Sequence, residues 1–267
     1  MFAQERFQKI SELLSRKQRL SVQELQRSLH VSPATLRRDL AELEHAGKLI
    51  RIHGGVMHPS YYNGEPSYDQ KVRENAEAKS AMARRACNLV GPNSIVFVDS
   101  GSTCMEIGRR LIERKDLTVI TNSIPLLAAA HNAQAQIICI GGQLRVVNKA
   151  LVGPLSLQWL ENISLDCLIM GASGITLERG ATTTELTEAH LKMFLLKRAA
   201  QRILVADATK WNTNRAVTFA KLSDFDCWIT SADLSESVAR IVRRQGVQVI
   251  LADDSPTESV RPEKHAL

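Results

Sequence analysis

The sequence predicts an α/β fold: an open, mostly parallel sheet with helices on both faces, preceded by a small helical module. Three observations carry this. From residue 94 onward, apolar runs of strand length and β-branched content recur at 94–99, 117–121, 136–141, 165–171, 202–207, 226–230 and 247–251. Helical patterns at 103–114, 124–132, 154–161, 185–200 and 235–244 separate most of them, which is the alternation of a parallel sheet. Before residue 58 the alternation is absent and short helical stripes replace it. At 267 residues the chain is long enough for two separate cores.

A first helix is expected over 4–16, with Phe7, Ile10, Leu13 and Leu14 as its apolar face. Ser21 then reads as an N-cap, and Val22, Leu25 and Leu29 form one stripe on a second short helix. The text breaks at His30-Val31. Ser32 and Pro33 start a third helix, a capping hydroxyl followed by proline at the first helical position. Leu36, Leu40 and Leu43 form its buried face, so Thr35, Arg37 and Arg38 cannot all point inward. Gly47 ends it, and Leu49 to Ile52, up to Gly54-Gly55, reads as a short strand and turn. Two helices across a tight turn, basic residues early in the second and a basic strand-turn after it describe a winged helix-turn-helix. A pair such as Arg37-Arg38 is ordinarily a solvated helix face. Cap, proline, stripe and His-Gly-Gly turn together favour DNA binding. Thr35 and Arg38 are the candidates for base edges and Ser32 and Arg37 for phosphates, with the two arginines interchangeable. Arg51 and His53 would reach the backbone or minor groove.

The charge distribution agrees. Net charge is +6, and residues 1–58 hold ten Lys and Arg against six Asp and Glu, a net of +4. A winged helix-turn-helix is therefore expected in 1–57, a Pro/Gly/Tyr-containing linker in 58–75, an α/β domain in 76–254 and a polar, frayed tail in 255–267. A further helix is expected over 76–90. No apolar run approaches the length of a membrane span, and the amino terminus lacks a signal-peptide core. Five cysteines, at 87, 104, 139, 167 and 227, are scattered with no metal-ligand spacing and fit a reduced, cytoplasmic chain. No metal or cofactor is expected. Cys104 lies beside a candidate ligand loop, where an inert buried thiol is the ordinary expectation.

In such sheets ligands collect beyond the carboxyl ends of the strands. The run ending at Val98 leads into Asp99-Ser100-Gly101-Ser102-Thr103 and a helix. Gly101 permits close backbone approach, and the helix-start amides with the Ser102 and Thr103 hydroxyls suit a phosphate. Comparable polar or glycine turns follow at Thr121-Asn122-Ser123, Gly141-Gly142 and Gly171-Ala172-Ser173-Gly174. Any one of these is usually just a cap; their recurrence points to a shared pocket. Glu188 and Lys192 stand four apart on one helix face, a spacing most often seen in solvated surface pairs. In a functional site, Lys192 or Lys210 would neutralise phosphate while Glu188 or Asp207 accepts sugar hydroxyls.

Val31-Ser32-Pro33-Ala34-Thr35-Leu36-Arg37-Arg38-Asp39-Leu40, Gly47-Lys48-Leu49 and Arg51-Ile52-His53-Gly54-Gly55 closely resemble the N-terminal signature of the DeoR family of bacterial transcriptional regulators. The matched Lys48 joins the DNA-binding candidates. The turns above, with Gly180-Ala181-Thr182-Thr183, Glu188, Lys192 and Asp207 to Lys210, resemble that family's sensor domain, similar in fold to ribose-5-phosphate isomerase. The resemblance implies that Asp99–Thr103 and Thr121–Ser123 hold a phosphate, and that residues near Gly174, Thr182, Glu188 and Lys192 meet a sugar. Lys71 stands where arginine is usual, and Ser102 where threonine is commoner; neither removes a proposed contact. The expected protein is a homo-oligomeric (dimer or tetramer), ligand-responsive regulator, a repressor of a carbohydrate operon that binds double-stranded DNA and a phosphorylated sugar. Its rival is a sugar-phosphate isomerase or deaminase with a DNA-binding appendage. Against the rival, no tight carboxylate-histidine constellation occurs, and His131 and His190 lie in helical text away from the strand ends.

Overall fold

The computed structural model describes residues 2–17, 19–46, 48–52, 54–57 and 66–253. Gly47, His53, the expected linker up to Glu65 and the polar tail from Ser255 lie outside the described residues. The chain divides into two compact units, residues 1–65 and 66–267.

In the first unit, α1 (Ala3–Lys17), β1 (Arg19–Ser21), α2 (Val22–Leu29), α3 (Pro33–His45), β2 (Ile50–Ile52) and β3 (Gly55–Met57) follow in order. The strands pair antiparallel as β1-β3-β2. The core is Ile10 and Leu14 of α1, Leu25 and Leu29 of α2, and Leu36, Leu40 and Leu43 of α3, closed by Leu20, Leu49 and Val56. Phe7, Leu13 and Val22 pack at its edge. Helix α2 starts where the Ser21 hydroxyl accepts from the Glu24 amide at 3.1 Å while the Glu24 carboxylate accepts from the Ser21 amide at 2.8 Å. It stops at His30, left-handed at φ 52°. A single wing strand ending at Gly54-Gly55 is all that the sequence suggests. The structure continues into β3, which lies between β2 and the short β1. The fit depends on glycine: a Cβ on Gly55 would lie 2.4 Å from the Leu20 carbonyl oxygen.

The second unit runs α4 (Tyr68–Arg73), α5 (Ala76–Leu89), β4 (Ile95–Val98), α6 (Ser102–Leu111), β5 (Thr118–Thr121), α7 (Ile124–Ala129), β6 (Gln136–Cys139), β7 (Gln143–Arg145), β8 (Ala150–Val152), α8 (Pro154–Leu160) and β9 (Leu165–Gly171). It continues through β10 (Gly174–Thr176), β11 (Gly180–Thr183), α9 (Leu186–Leu196), β12 (Ala199–Val205), β13 (Val217–Ala220), β14 (Cys227–Ser231), α10 (Glu236–Arg243) and β15 (Gln248–Ala252). All seven expected strand runs belong to one parallel sheet, ordered β15-β14-β12-β9-β4-β5-β6. Side chains alternate across it. Phe97, Leu168, Met170, Leu204 and Trp228 join the core under α8, α9 and α10, while Val96, Val98, Cys167, Ile169, Ile203 and Ile229 join the core under α5, α6 and α7.

Three local expectations need correction. The segment 66–75 is not all linker: Ser67 and Gln70 form a capping box, α4 follows, and Tyr68 is buried. Six residues are too few for helical periodicity to show in sequence. The helix expected to reach residue 200 ends at Leu196, and β12 starts at Ala199 because it pairs there with Leu165. Sheet pairing overrides the helix propensity of Ala199-Ala200. The β7–β8 hairpin and the small antiparallel sheet β10-β11-β13 were also illegible, their strands of three or four residues being too short to show a period.

Strand order places the site. From β4 the chain moves outward through β5 and β6, then crosses to β9 on β4's other side and moves outward again. The direction reverses between β4 and β9, so their carboxyl ends flank the crevice where ligands of open α/β sheets bind.

Candidate functional site

On α3 of the first unit, Arg37 and Arg38 are exposed beside the buried Leu36, Asp39 and Leu40, and neither has an ion-pair partner among the described residues. The Ser32 hydroxyl caps the helix, accepting from the Thr35 amide at 3.2 Å, and lies 2.9 Å from the Thr35 hydroxyl. Lys48 and Arg51 are exposed where β2 begins and runs. His53 lies outside the described residues. Sequence reasoning passed over Asp39, which is buried and accepts a bidentate pair from Arg6 of α1, Nε to Oδ2 at 2.6 Å and Nη2 to Oδ1 at 2.8 Å. That clamp fixes α3 to α1, so the cations stand on a rigid element.

In the second unit the crevice between β4 and β9 holds a buried charged cluster. Lys192 of α9 donates from Nζ to the Asp99 carboxylate at the end of β4, and to the Gly171 carbonyl at the end of β9 at 3.0 Å. Glu188 Oε1, one turn earlier, lies 3.5 Å from the same Nζ. The Gly171 amide donates to Asp99 Oδ2 at 3.1 Å, tying the two strand ends together. The Asp99, Lys192 and Glu188 side chains are only 1%, 3% and 8% exposed, so the i, i+4 pair of Glu188 and Lys192 is no surface ornament. Burial alone would lower the Lys192 ammonium, but the Asp99 and Glu188 carboxylates outweigh it and hold it above the ordinary lysine range. The Phe219 ring lies 5.2 Å from Nζ.

Two members of the cluster went unrecognised in the sequence. Arg145, at the end of β7, places Nη1 3.6 Å from Glu188 Oε2 and donates from Nη2 to the Thr184 hydroxyl at 3.3 Å. Asn148, in the hairpin turn, donates from Nδ2 to Glu188 Oε2 at 3.1 Å. Their one sequence signal was position, four and seven residues after the strand-end Gly141. Two carboxylates thus balance two cations around the crevice.

Next in sequence to Asp99–Ser100, Gly101 caps α6 at φ +120° with no side-chain cap, so the first-turn amides lack a side-chain acceptor; Ser102 is buried and Thr103 half-buried there. Ser100 is buried next to them. Burial, with Asp99 adding to it, raises the Cys104 thiol well above its usual range, so it is an inert thiol.

Other expected ligand residues also have partners within the fold. Thr121 donates to the Val98 carbonyl at 2.7 Å and accepts from the Ser123 amide, while Ser123 caps α7. Thr182 donates to the Gly174 carbonyl and accepts from the Arg215 amide, both at 3.1 Å. A Cβ on Gly174 would lie 2.3 Å from the Thr213 carbonyl, and one on Gly142 2.5 Å from that of Val152, so both glycines answer to backbone packing. Asp207 caps the turn at Thr209. With Lys210 it acts electrostatically on Lys79, Asp207 favouring the charged ammonium and Lys210 opposing it. Lys79 is itself buried, donating to the Lys71 and Glu74 carbonyls.

Residues 6–61 match the family model described as the DeoR-like helix-turn-helix domain, and residues 74–232 match the DeoR C-terminal sensor domain. The chain belongs to the DeoR family. It is a helix-turn-helix transcriptional regulator with a sensor domain. Among DeoR-family relatives, the HTH-type transcriptional regulator GlpR of Haloferax volcanii is 35% identical over 94% of this chain and 98% of its own. The HTH-type transcriptional regulator GolR of Listeria innocua is 30% identical over 95% and 100%. The putative aga operon transcriptional repressor of Escherichia coli O157:H7 is 30% identical over 94% of each. Among solved structures, ribose 5-phosphate isomerase A of Methanocaldococcus jannaschii covers 52% of this chain and 55% of its own at 15% identity and a TM-score of 0.39. No helix among the described residues is long and apolar enough to cross a membrane, and no group of three or more His, Cys, Asp or Glu there could hold a metal.

Proposed function

We propose that this regulator is a repressor whose operator affinity changes when a phosphorylated sugar enters the β4–β9 crevice. The observation that carries the reading is the buried Asp99–Lys192–Glu188 cluster beside the uncapped start of α6. Peptide amides with Ser102 and Thr103 suit the phosphate; Glu188 suits hydroxyls. Arg37, Arg38, Arg51 and Lys48, with Ser32 and Thr35, form the DNA-reading face, and the protein acts as a homo-oligomer on paired operator sites in the cytoplasm. Ligand binding releases DNA. The repressor name of the aga-operon relative supports the sense of regulation.

We read the crevice as non-catalytic. Lys192 is held protonated between two carboxylates, and those carboxylates are occupied as its counter-charges, so neither is poised to shuttle a proton at a sugar carbon. The test is an electrophoretic shift on the DNA upstream of the protein's own gene, titrated with phosphosugars and repeated with Arg37→Ala/Arg38→Ala. Loss of the shift in the variant, and release by one phosphosugar in the wild type, are expected. An unchanged shift in a folded variant, or isomerised or deaminated phosphosugar product at ordinary enzyme rates, would overturn the reading.

A further inference from the structure

The β7–β8 hairpin takes no part in the seven-stranded sheet, yet its turn meets two places at once. On one side it reaches the charged cluster, through Arg145 and Asn148 to Glu188. On the other it holds α4, the first element of the second unit in chain order. The Tyr68 amide donates to the Val147 carbonyl at 2.8 Å, Lys149 Nζ donates to Asp69 Oδ1 at 2.7 Å, and the same ammonium lies 5.3 Å from the Tyr68 ring centroid. Residues 145 and 148 therefore belong to the sensor site while 147 and 149 grip the segment through which the chain arrives from the DNA-binding unit.

On this turn and the segments bonded to it, three buried side-chain oxygens have no hydrogen-bond partner among the described residues, Asn148 Oδ1, Asn122 Oδ1 and, on β11, Thr183 Oγ1, while the buried Arg145 Nη1 is ion-paired with Glu188 at 3.6 Å. The two amides are oriented unambiguously. Asn148 gives its Nδ2 to a carboxylate, and Asn122 gives its Nδ2 to the Leu151 carbonyl on the hairpin's second strand at 3.3 Å. Thr183 precedes Thr184, the hydroxyl partner of Arg145. The oxygens comprise two amide acceptors and one hydroxyl. Such a set is satisfied by hydroxyl donors, and a phosphate oxygen cannot satisfy the acceptors.

We propose that the Arg145–Lys149 turn is the effector-reading element. Asn148, with Asn122, accepts from hydroxyl groups of a phosphorylated polyol, and the resulting displacement of the turn is passed through Val147 and Lys149 to α4. The proposal rests on the effector-site reading above and adds to it the recognition residues and the route of regulation. The phosphate of the ligand is held elsewhere, at α6, so affinity for the hydroxyl-bearing part and affinity for bare phosphate are separable.

The test uses the full chain, with glucose 6-phosphate, fructose 1-phosphate, glucosamine 6-phosphate, glycerol 3-phosphate and inorganic phosphate as probes. Binding is followed by calorimetry and operator affinity by fluorescence anisotropy. In Asn148→Ala, affinity for the responding phosphosugar is expected to fall about tenfold or more while that for inorganic phosphate is unchanged. Asn122→Ala is expected to show the same split, and serves if Asn148→Ala fails to fold. In Lys149→Glu the phosphosugar binds within about threefold of wild type, but its effect on operator affinity drops at least about fivefold, and Asp69→Lys in the same chain restores it. If no phosphosugar binds the wild type, the effector reading fails and the proposal falls with it. If one binds and the folded Asn variants hold it as tightly as the wild type, or Lys149→Glu still responds in full, the proposal alone is overturned.

Discussion

Lys192 answers two carboxylates from a site that water barely reaches. Replacing it with methionine leaves the buried Asp99 without its counter-ion, while Glu188 keeps Arg145 and Asn148, and the expected loss is about 3–5 kcal/mol of sensor-domain stability. Urea denaturation checks this, with Asp99→Asn/Lys192→Met expected to regain more than half; a single-variant loss below about 1 kcal/mol would contradict the buried cluster. Tyr68 gives a second residue-scale expectation. Burial pushes its phenol up to about 12. The unfolded chain then ionises first, so stability present below about pH 10 is lost as pH rises towards 12. Absorbance at 295 nm should show one of the three tyrosines titrating late, a phase absent in Tyr68→Phe. Little of this was readable beforehand. Four-residue spacing put Glu188 and Lys192 on one face, but their burial depends on Asp99, 93 positions before Lys192. Asp39 likewise carried no signal, because its partner Arg6 stands on a different helix.

Elements were legible where a period had room to repeat. Seven strands and the helices between them showed because each run carried enough residues to display β-branched content or a 3.6-residue stripe. The β7–β8 hairpin, β10-β11-β13 and α4 escaped because three to six residues hold no period, and what forms them is pairing or docking. Two of the missed elements, the hairpin and α4, border the crevice or its proposed output. In the first unit, Gly55→Ala tests the close approach of β3 to β1. The expected loss is about 1–3 kcal/mol in the first unit with the second unaffected, measured by hydrogen exchange resolved along the chain. Wild-type protection in β1 and β3 of that variant would show that the strands tolerate a methyl group.

At the scale of the molecule, the excess positive charge in residues 1–58 predicts operator binding that weakens steeply with salt. A plot of log affinity against log salt should be linear, and Arg37→Ala/Arg38→Ala should flatten its slope by about 1 to 2. An unaltered slope would place those side chains away from phosphate. Domain order and fold class were open to the reader of the sequence, since composition and alternation change abruptly near residue 76. Which strand ends cooperate was not, because strand order emerges only when distant segments pair.

That pairing order bears on synthesis. β4 is made early, yet its neighbour on one side, β9, follows some seventy residues later, after β5, β6 and the hairpin. While a ribosome is between those points, the strand Ile95 to Val98 has one bare edge of unpaired backbone groups, and Asp99 waits longer still, until Lys192 is made, for its counter-ion. The interval before Leu165 to Gly171 appears is when the unfinished polypeptide is most exposed to sticking to its neighbours, and when a chaperone has most to shield.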